Sequence, residues 1–475
     1  MDSNSVLDIF RQITLIPRES GHEEKMTAFL VDFALKHNLE HKADSTGNVM
    51  IARAAAPGKE GVPTLVLQSH QDMVCEKLAS STHDFSKDPI PYVIEDGWMI
   101  SKETTLGADD GIGVAASLAL LESSLEMGRI ECIFTISEET GMDGAFAMEE
   151  GFFSGKTLIN LDSEDEGQLF IGCAGGLDTA ATFEYTPQAV KEGYTVLSLH
   201  LGGGIGGHSG DDINKDRANA VQLLARFLYH EWCESWQLVT FSGGNKYNAI
   251  AREAVACLAI PAAEAKEVEE AFAEFQSTLR TEFCTTDPGL FCSCAPAQAS
   301  KAIESGVAHR LLSALVSVHH GVKSMSQTIP GLVQTSSNLA FVKMEEEGKI
   351  VVGTSQRSSS ESEKEAIADR VEACFRLAGA RTRRFGAYPG WDPDIHSHVL
   401  ARTVESYRRL FNQEPEVKAI HAGLECGLFL KKFPGLDMIS FGPTLRGVHA
   451  PGEKLDLASN EKFVALLVDL VCNFQ

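Results

Sequence analysis

Positive charge is what this sequence has least of. Lys and Arg number 41 against 66 Asp and Glu, a formal net charge of -25. A chain this acidic lacks the basic patches that nucleic acid or an anionic membrane requires; it favours solubility and the attraction of cations. Long apolar runs are missing too. None approaches the roughly 18 to 20 residues needed to cross a bilayer, and the start, MDSNSVLDIFRQ, has an acid where a secretory signal carries positive charge. Cysteine is present without order: eleven residues, an odd number with no framework spacing, exclude a disulfide scaffold and suit a reducing cytosol. The pair Cys292 and Cys294 has no second cluster to complete a zinc site. No repeat of fixed period and no low-complexity tract is visible. The expectation is a cytoplasmic protein with neither nucleic acid nor membrane as partner. Its 475 residues, 44% hydrophobic, are enough to bury two cores.

What is there centres on Ile130 to Gly144, IECIFTISEETGMDG. The apolar, β-branched start reads as a buried strand, and it ends on two adjacent carboxylates, Glu138 and Glu139. Neighbours at a strand end point in different directions, so one can bind a cation while the other faces what is bound to it. Alone, such a pair is more often a solvated strand end. Three further stretches change the balance. Thr64 to Gln68 reads as a buried strand running into His70 and Asp72, which share a face in extended chain, and a carboxylate behind an imidazole fixes which ring nitrogen faces a metal. Thr157 to Leu161 is a strand ending on Asp162. Asp109 and Asp110 stand among glycines at the start of a helix apolar on nearly every face, Val114 to Leu121, where a phosphate loop would have a Lys.

Elsewhere Ser20 to Glu23 reads as a capping box opening a helix with Met26, Phe29, Leu30 and Phe33 on one face. From about Thr186 the texture changes to paired strands with helices between, an α+β insert with a one-faced antiparallel sheet, bounded by Pro187 and Gly386 to Gly390. The first texture returns afterwards, with a strand at Asp437 to Phe441, a loop holding His449, and a last helix capped by Ser459. The predicted fold class is α/β: a discontinuous first domain with a mostly parallel mixed sheet (residues 1–186 and 387–475), plus an inserted α+β domain (187–386). In such a sheet the carboxyl ends of the strands share one edge. His70, Glu138, Glu139, Asp162, Asp109 and His449 then gather there. With one of the Glu pair facing what is bound, two imidazoles and three carboxylates without thiolate suit two divalent ions, Zn2+ first, with Mn2+ or Co2+ as alternatives, about 3.5 to 4 Å apart around a hydroxide.

The motifs Ser69-His-Gln-Asp-Met-Val74, Leu106-Gly-Ala-Asp-Asp-Gly-Ile-Gly113, Ser137-Glu-Glu-Thr-Gly-Met-Asp-Gly-Ala145, Asn160-Leu-Asp-Ser-Glu164, Gly207-His-Ser-Gly210, Ala387-Tyr-Pro-Gly-Trp391 and His421-Ala-Gly-Leu-Glu-Cys-Gly427 resemble those of the aminoacyl-histidine dipeptidases. These are cytosolic members of the clan of two-metal aminopeptidases, carboxypeptidases and aminoacylases. The resemblance runs essentially from end to end. It implies that His70, Asp109 and Asp162 hold one metal and Asp109, Glu139 and His449 the other. It implies too that Asp72 orients His70 and that Glu138 is the general base. It also implies that the discontinuous domain is the catalytic one and the insert a lid and dimerisation domain, joining a homodimer in which His208 helps polarise the scissile carbonyl of a neighbouring site. Asn248 and Arg357 look like the family's substrate-binding Asn and Arg. Ala251 stands where relatives usually have Pro, and Asp110 where many have Asn.

The reaction so implied is hydrolysis of a dipeptide, preferentially aminoacyl-histidine including β-alanyl-histidine, by a metal-bridging hydroxide. Arg357 is the natural fork for the substrate carboxylate; Glu425, from charge alone, is a candidate for the amino end. Two rivals stand beside this reading: a broader dipeptidase or N-acyl amino acid amidohydrolase of the same clan, and a metal-bearing homodimeric binding protein without turnover. Loss of the base or of the bridging ligand would mark the second. Glu138 and Asp109 are both present.

Overall fold

The computed structural model describes residues 1–346 and 348–475. The chain divides into two compact units, one formed by Met1–Cys173, Trp391–Ala419 and Leu424–Gln475, the other by Ala174–Gly390 with Ile420–Gly423. No helix among the described residues is long and apolar enough to cross a membrane.

The first unit is built on an eight-stranded mixed sheet. At its centre Leu65–His70 runs parallel to both Ile130–Thr135 and Thr157–Asn160, and Asp437–Ser440 continues the parallel run beside Thr157–Asn160. Glu40–Ala43 and Val49–Arg53 extend one side antiparallel. Every residue of Leu65–His70 and Ile130–Thr135 is buried, as parallel strands covered on both faces must be. The helix Ala108–Glu122 packs against them with almost no exposed surface. Glu131 sits inside this core at 2% exposure because Ser154 and Gly155 donate to its carboxylate and Arg129 neutralises it. A smaller four-stranded sheet includes the hairpin Leu445–Arg446 and Lys454–Asp456, whose loop carries His449.

The second unit is a nine-stranded sheet, antiparallel throughout its described pairings. Its helices Ala220–Glu231, Ala265–Glu282, Ser305–Ser317 and Glu361–Leu377 cover a core that includes Phe183, Phe227, Phe241, Phe272 and Phe375. Gly175–Glu184, which the sequence division leaves with the outer segments, pairs with Lys349–Ser358 and Arg381–Tyr388 and belongs to this unit.

Two expected helix starts differ. The helix Glu24–Lys36 has no side-chain cap: Ser20 donates instead to Asp72, and Glu23 accepts from Gly21 and Ser137. The last helix, Leu457–Asn473, is capped by Asp456, whose side chain accepts from Ala458 and Ser459, while the Ser459 hydroxyl accepts from Thr444. At the first helix long-range partners outcompete the local motif; at the last the local cap stands, three residues earlier than expected.

Candidate metal centre

Each proposed ligand comes to the site by a strand end or a loop of the first unit. His70 closes Leu65–His70; Glu138 and Glu139 open a short helical turn just after Ile130–Thr135; Asp162 follows Thr157–Asn160. Asp109 lies where the backbone is not yet helical, next to a cis peptide to Asp110. His449 sits in the hairpin loop with φ +61°.

These side chains converge. Nε2 of His70 lies 3.1 Å from Oδ1 of Asp109 and 3.4 Å from Oδ1 of Asp162. Nε2 of His449 lies 3.0 Å from Oδ2 of Asp109 and 3.0 Å from the Glu139 carboxylate. Asp109 therefore turns one oxygen to each imidazole. Donor atoms of His70, Asp109 and Asp162, of Asp109, Glu139 and His449, and of His70, Glu138 and Glu139 each fall within 4.8 Å of one another. Behind the ring, Nδ1 of His70 faces Asp72 at 3.3 Å. Asp72 does more than the sequence suggested. Its carboxylate also accepts the Ser20 hydroxyl (2.7 Å) and the backbone N–H groups of Glu138 (3.1 Å) and Glu139 (3.2 Å).

The electrostatics show what this arrangement lacks. Burial raises the pKa of Glu138 well above the carboxylate range, with Glu425 and Glu139 adding repulsion; burial likewise raises Asp162, with Asp109 adding to it. Asp110 is pushed up to about 8 by burial and by Asp109, and Glu164 to about 7. Asp109 goes the other way: burial opposes its charge, but hydrogen bonds from His449 and His70 hold it far below the usual range. Burial would strip the proton from His70, yet Asp162 and Asp109 keep it on, and bonds to Asp109 and Glu139 raise His449 to about 11. Carboxylates crowded in a buried space around two imidazoles are short of positive charge, which divalent cations on these N and O donors would supply.

Glu425 requires a correction. It is fully buried, its Oε2 accepts from Gln68 (2.5 Å) and Thr135 (2.8 Å), and its Oε1 is enclosed without a partner. Burial raises its pKa to about 7. A carboxylate held this way presents no open face to a ligand's ammonium group.

The second unit groups the other candidates. His208 is half-buried, 3.2 Å from Asp211, and its N–H donates to Asp212. The next residue, Ser209, donates its N–H to the Asn248 carbonyl at 2.9 Å, and the buried Arg357 reaches Oγ of Ser209 at 3.4 Å and the Tyr388 hydroxyl at 3.0 Å. His421 lies beside them, its Nε2 2.7 Å from Oγ of Ser336. Sequence reading placed Ser209, Tyr388 and His421 in three separate motifs without bringing them to Arg357, because they meet across strands and loops. It also missed Arg18 and Glu453 in the first unit.

The profile of Peptidase family M20/M25/M40 matches residues 66–473. The chain is 38% identical over 467 residues to a protein of Escherichia coli (strain K12) named cytosol non-specific dipeptidase, covering 98% of this chain and 96% of that one. The crystal structure of an aminoacylhistidine dipeptidase from Vibrio alginolyticus superposes with a TM-score of 0.91 at 39% identity, covering 99% of this chain and 96% of the other. An aminopeptidase PepT from Bacillus cereus shares the fold at a TM-score of 0.58 and 15% identity, over 99% and 98% of the two chains. With a family profile spanning most of its length and a full-length relative at this identity, the chain belongs to peptidase family M20/M25/M40.

Proposed function

We propose that this peptidase hydrolyses dipeptides with two divalent ions held in the first unit, and that aminoacyl-histidine, β-alanyl-histidine included, is its preferred class. The observation that carries the reading is Asp109 dividing its two oxygens between His70 and His449, with Asp162 completing one side and Glu139 the other. His70, Asp109 and Asp162 would hold one ion, and Asp109, Glu139 and His449 the second. The N and O donor set suits Zn2+, with Mn2+ or Co2+ as substitutes. When bound, the ions supply Lewis-acid activation of water and of the scissile carbonyl.

Glu138 is left over from both ligand sets, and its burial among other carboxylates raises its affinity for a proton. It takes the proton of the attacking water and passes it to the leaving amine. Asp72 holds the His70 ring and the backbone of Glu138 and Glu139 in place. On the second unit, Arg357 offers a guanidinium fork to the substrate carboxylate, Asn248 a polar partner, and His208 a donor for the carbonyl oxygen. The protein works as a cytoplasmic homodimer joined through the inserted domain. The names of its relatives point to two widths of selectivity, non-specific and aminoacyl-histidine.

A panel of Xaa-His, other dipeptides and N-acyl amino acids, assayed after chelation and after refilling with single metals, tests this directly. Metal-dependent cleavage favouring Xaa-His supports the proposal. Equal rates on all dipeptides would make it a broad dipeptidase, and cleavage confined to N-acyl amino acids would overturn it.

A further inference from the structure

We propose that Arg18 and Glu453 are positioning residues that clamp the segment Leu106–Asp109 from its carbonyl and amide sides, thereby setting the affinity for both ions that Asp109 bridges. The inference rests on the two-ion reading above and concerns two residues outside either ligand set.

Glu453 is 2% exposed and spends both carboxylate oxygens on one stretch of backbone. Oε2 accepts from the N–H groups of Leu106 (2.7 Å) and Gly107 (2.9 Å), and Oε1 from those of Ala108 (2.8 Å) and Asp109 (3.4 Å). Four consecutive amides on one carboxylate use its full acceptor capacity. Arg18, also 2% exposed, grips the other polarity. Its Nη2 donates to the Gly107 carbonyl, while Nη1 donates to the carbonyls of Gln71 (3.0 Å) and Asp72 (2.6 Å). One guanidinium thus ties the segment bearing Asp109 to the segment that follows His70. Glu453 lies four residues after His449, so the hairpin loop bearing the second imidazole is tied to the same segment.

The glycines nearby fit this reading. A Cβ on Gly107, whose φ is +69°, would stand 2.5 Å from Nη2 of Arg18, and one on Gly111 would stand 2.6 Å from it. The backbone leaves room for the guanidinium at the two places where any side chain would displace it. Charge-assisted bonds to backbone are stiff, and ligand affinity depends on how firmly donors are held before the ion arrives.

The experiment uses the full chain, stripped by chelation, in wild type, Glu453→Gln and Arg18→Lys. Zn2+ binding is followed by calorimetry, and amide hydrogen exchange of residues 106–109 is measured in the ion-free protein. Glu131→Gln, which disturbs a buried carboxylate at the other end of the strand Ile130–Thr135, is the control for general destabilisation. The expected result is faster exchange at 106–109 and ion affinity weakened about 10- to 100-fold in the two clamp variants, with Glu131→Gln melting earlier but binding as wild type does. Folded clamp variants with wild-type affinity and wild-type exchange would overturn the proposal, as would a loss of affinity equal to that of Glu131→Gln. If Glu453→Gln does not fold, Glu453→Asp, which keeps the charge but draws it back by one methylene, takes its place. Wild type binding fewer than two ions would defeat the two-ion reading instead, and the exchange comparison at 106–109 would still decide whether the clamp exists.

Discussion

Glu138 and Glu139 are adjacent in sequence yet meet different partners, and the division of labour between them is testable. Glu139 lies against His449, whereas Glu138 belongs to neither of the two ligand triads that share Asp109. Glu138→Gln keeps size and hydrogen bonding but removes the base, so it should retain both ions and lose turnover by about 10²-fold or more. Glu139→Ala should lose one ion. Metal content by mass spectrometry beside kcat separates the two, and the reverse pattern would exchange the roles. Asp72 sets up a second test. Replaced by Asn, it would present an amide to the N–H of Glu138 or Glu139, leaving a buried donor unsatisfied at a cost of about 1 to 3 kcal/mol. Asp72→Asn should therefore reduce kcat and also lower the melting temperature, whereas a residue that only steered the His70 ring would leave stability intact.

At the scale of elements, the buried His421 gives a pH dependence. Burial first, and then the neighbouring Arg357, push its pKa down to about 3 from 6.5. Its folded pKa is depressed, so the unfolded chain binds a proton that the folded chain refuses. The stability involved is present above pH 6.5 and is lost as pH falls from 6.5 toward 3, by at most about 1.4 kcal/mol per pH unit for one proton. Urea denaturation followed by tryptophan fluorescence between pH 8 and 4.5 should show this slope in wild type and a shallower one in His421→Asn; identical slopes would dismiss it. The helix Leu457–Asn473 offers a simpler case, since Asp456→Ala removes the acceptor for two terminal amides and should cost about 1 kcal/mol in the same assay.

These elements also show what was legible in the sequence. The convergence of His70, Glu139 and Asp162 could be read because each lies at or just beyond the end of an apolar run, and a parallel sheet aligns such ends. Ser20 and Glu23 were misread as a capping box because the spacing is right for one; only the folded chain reveals that Asp72 and Ser137 compete for them. Glu453 and Arg18 carry no local signal at all. Their partners are backbone groups 344 to 347 and 53 to 89 residues away, and backbone has no identity in a sequence.

For the whole molecule, a net charge of -25 combined with a buried carboxylate cluster predicts that cations add to the stability. An ion that binds only the folded state adds about 2.7 kcal/mol when present at 100 times its dissociation constant. Chelation should lower the melting temperature, and Zn2+ or Mn2+, but not an equal ionic strength of NaCl, should restore it. A melting temperature indifferent to chelation would remove the cluster from the stability of the fold. The same molecule places the last side chain of this cluster late. His449 and Glu453 meet Asp109 across more than three hundred residues, and the loop that carries them is held in a hairpin by Lys454–Asp456. During synthesis, then, residues 1–448 emerge from the ribosome before either residue. On the two-ion reading, a growing chain that stops short of residue 449 has no second imidazole and no Glu453 to hold the segment bearing Asp109, so a fragment released before that point should cut no peptide.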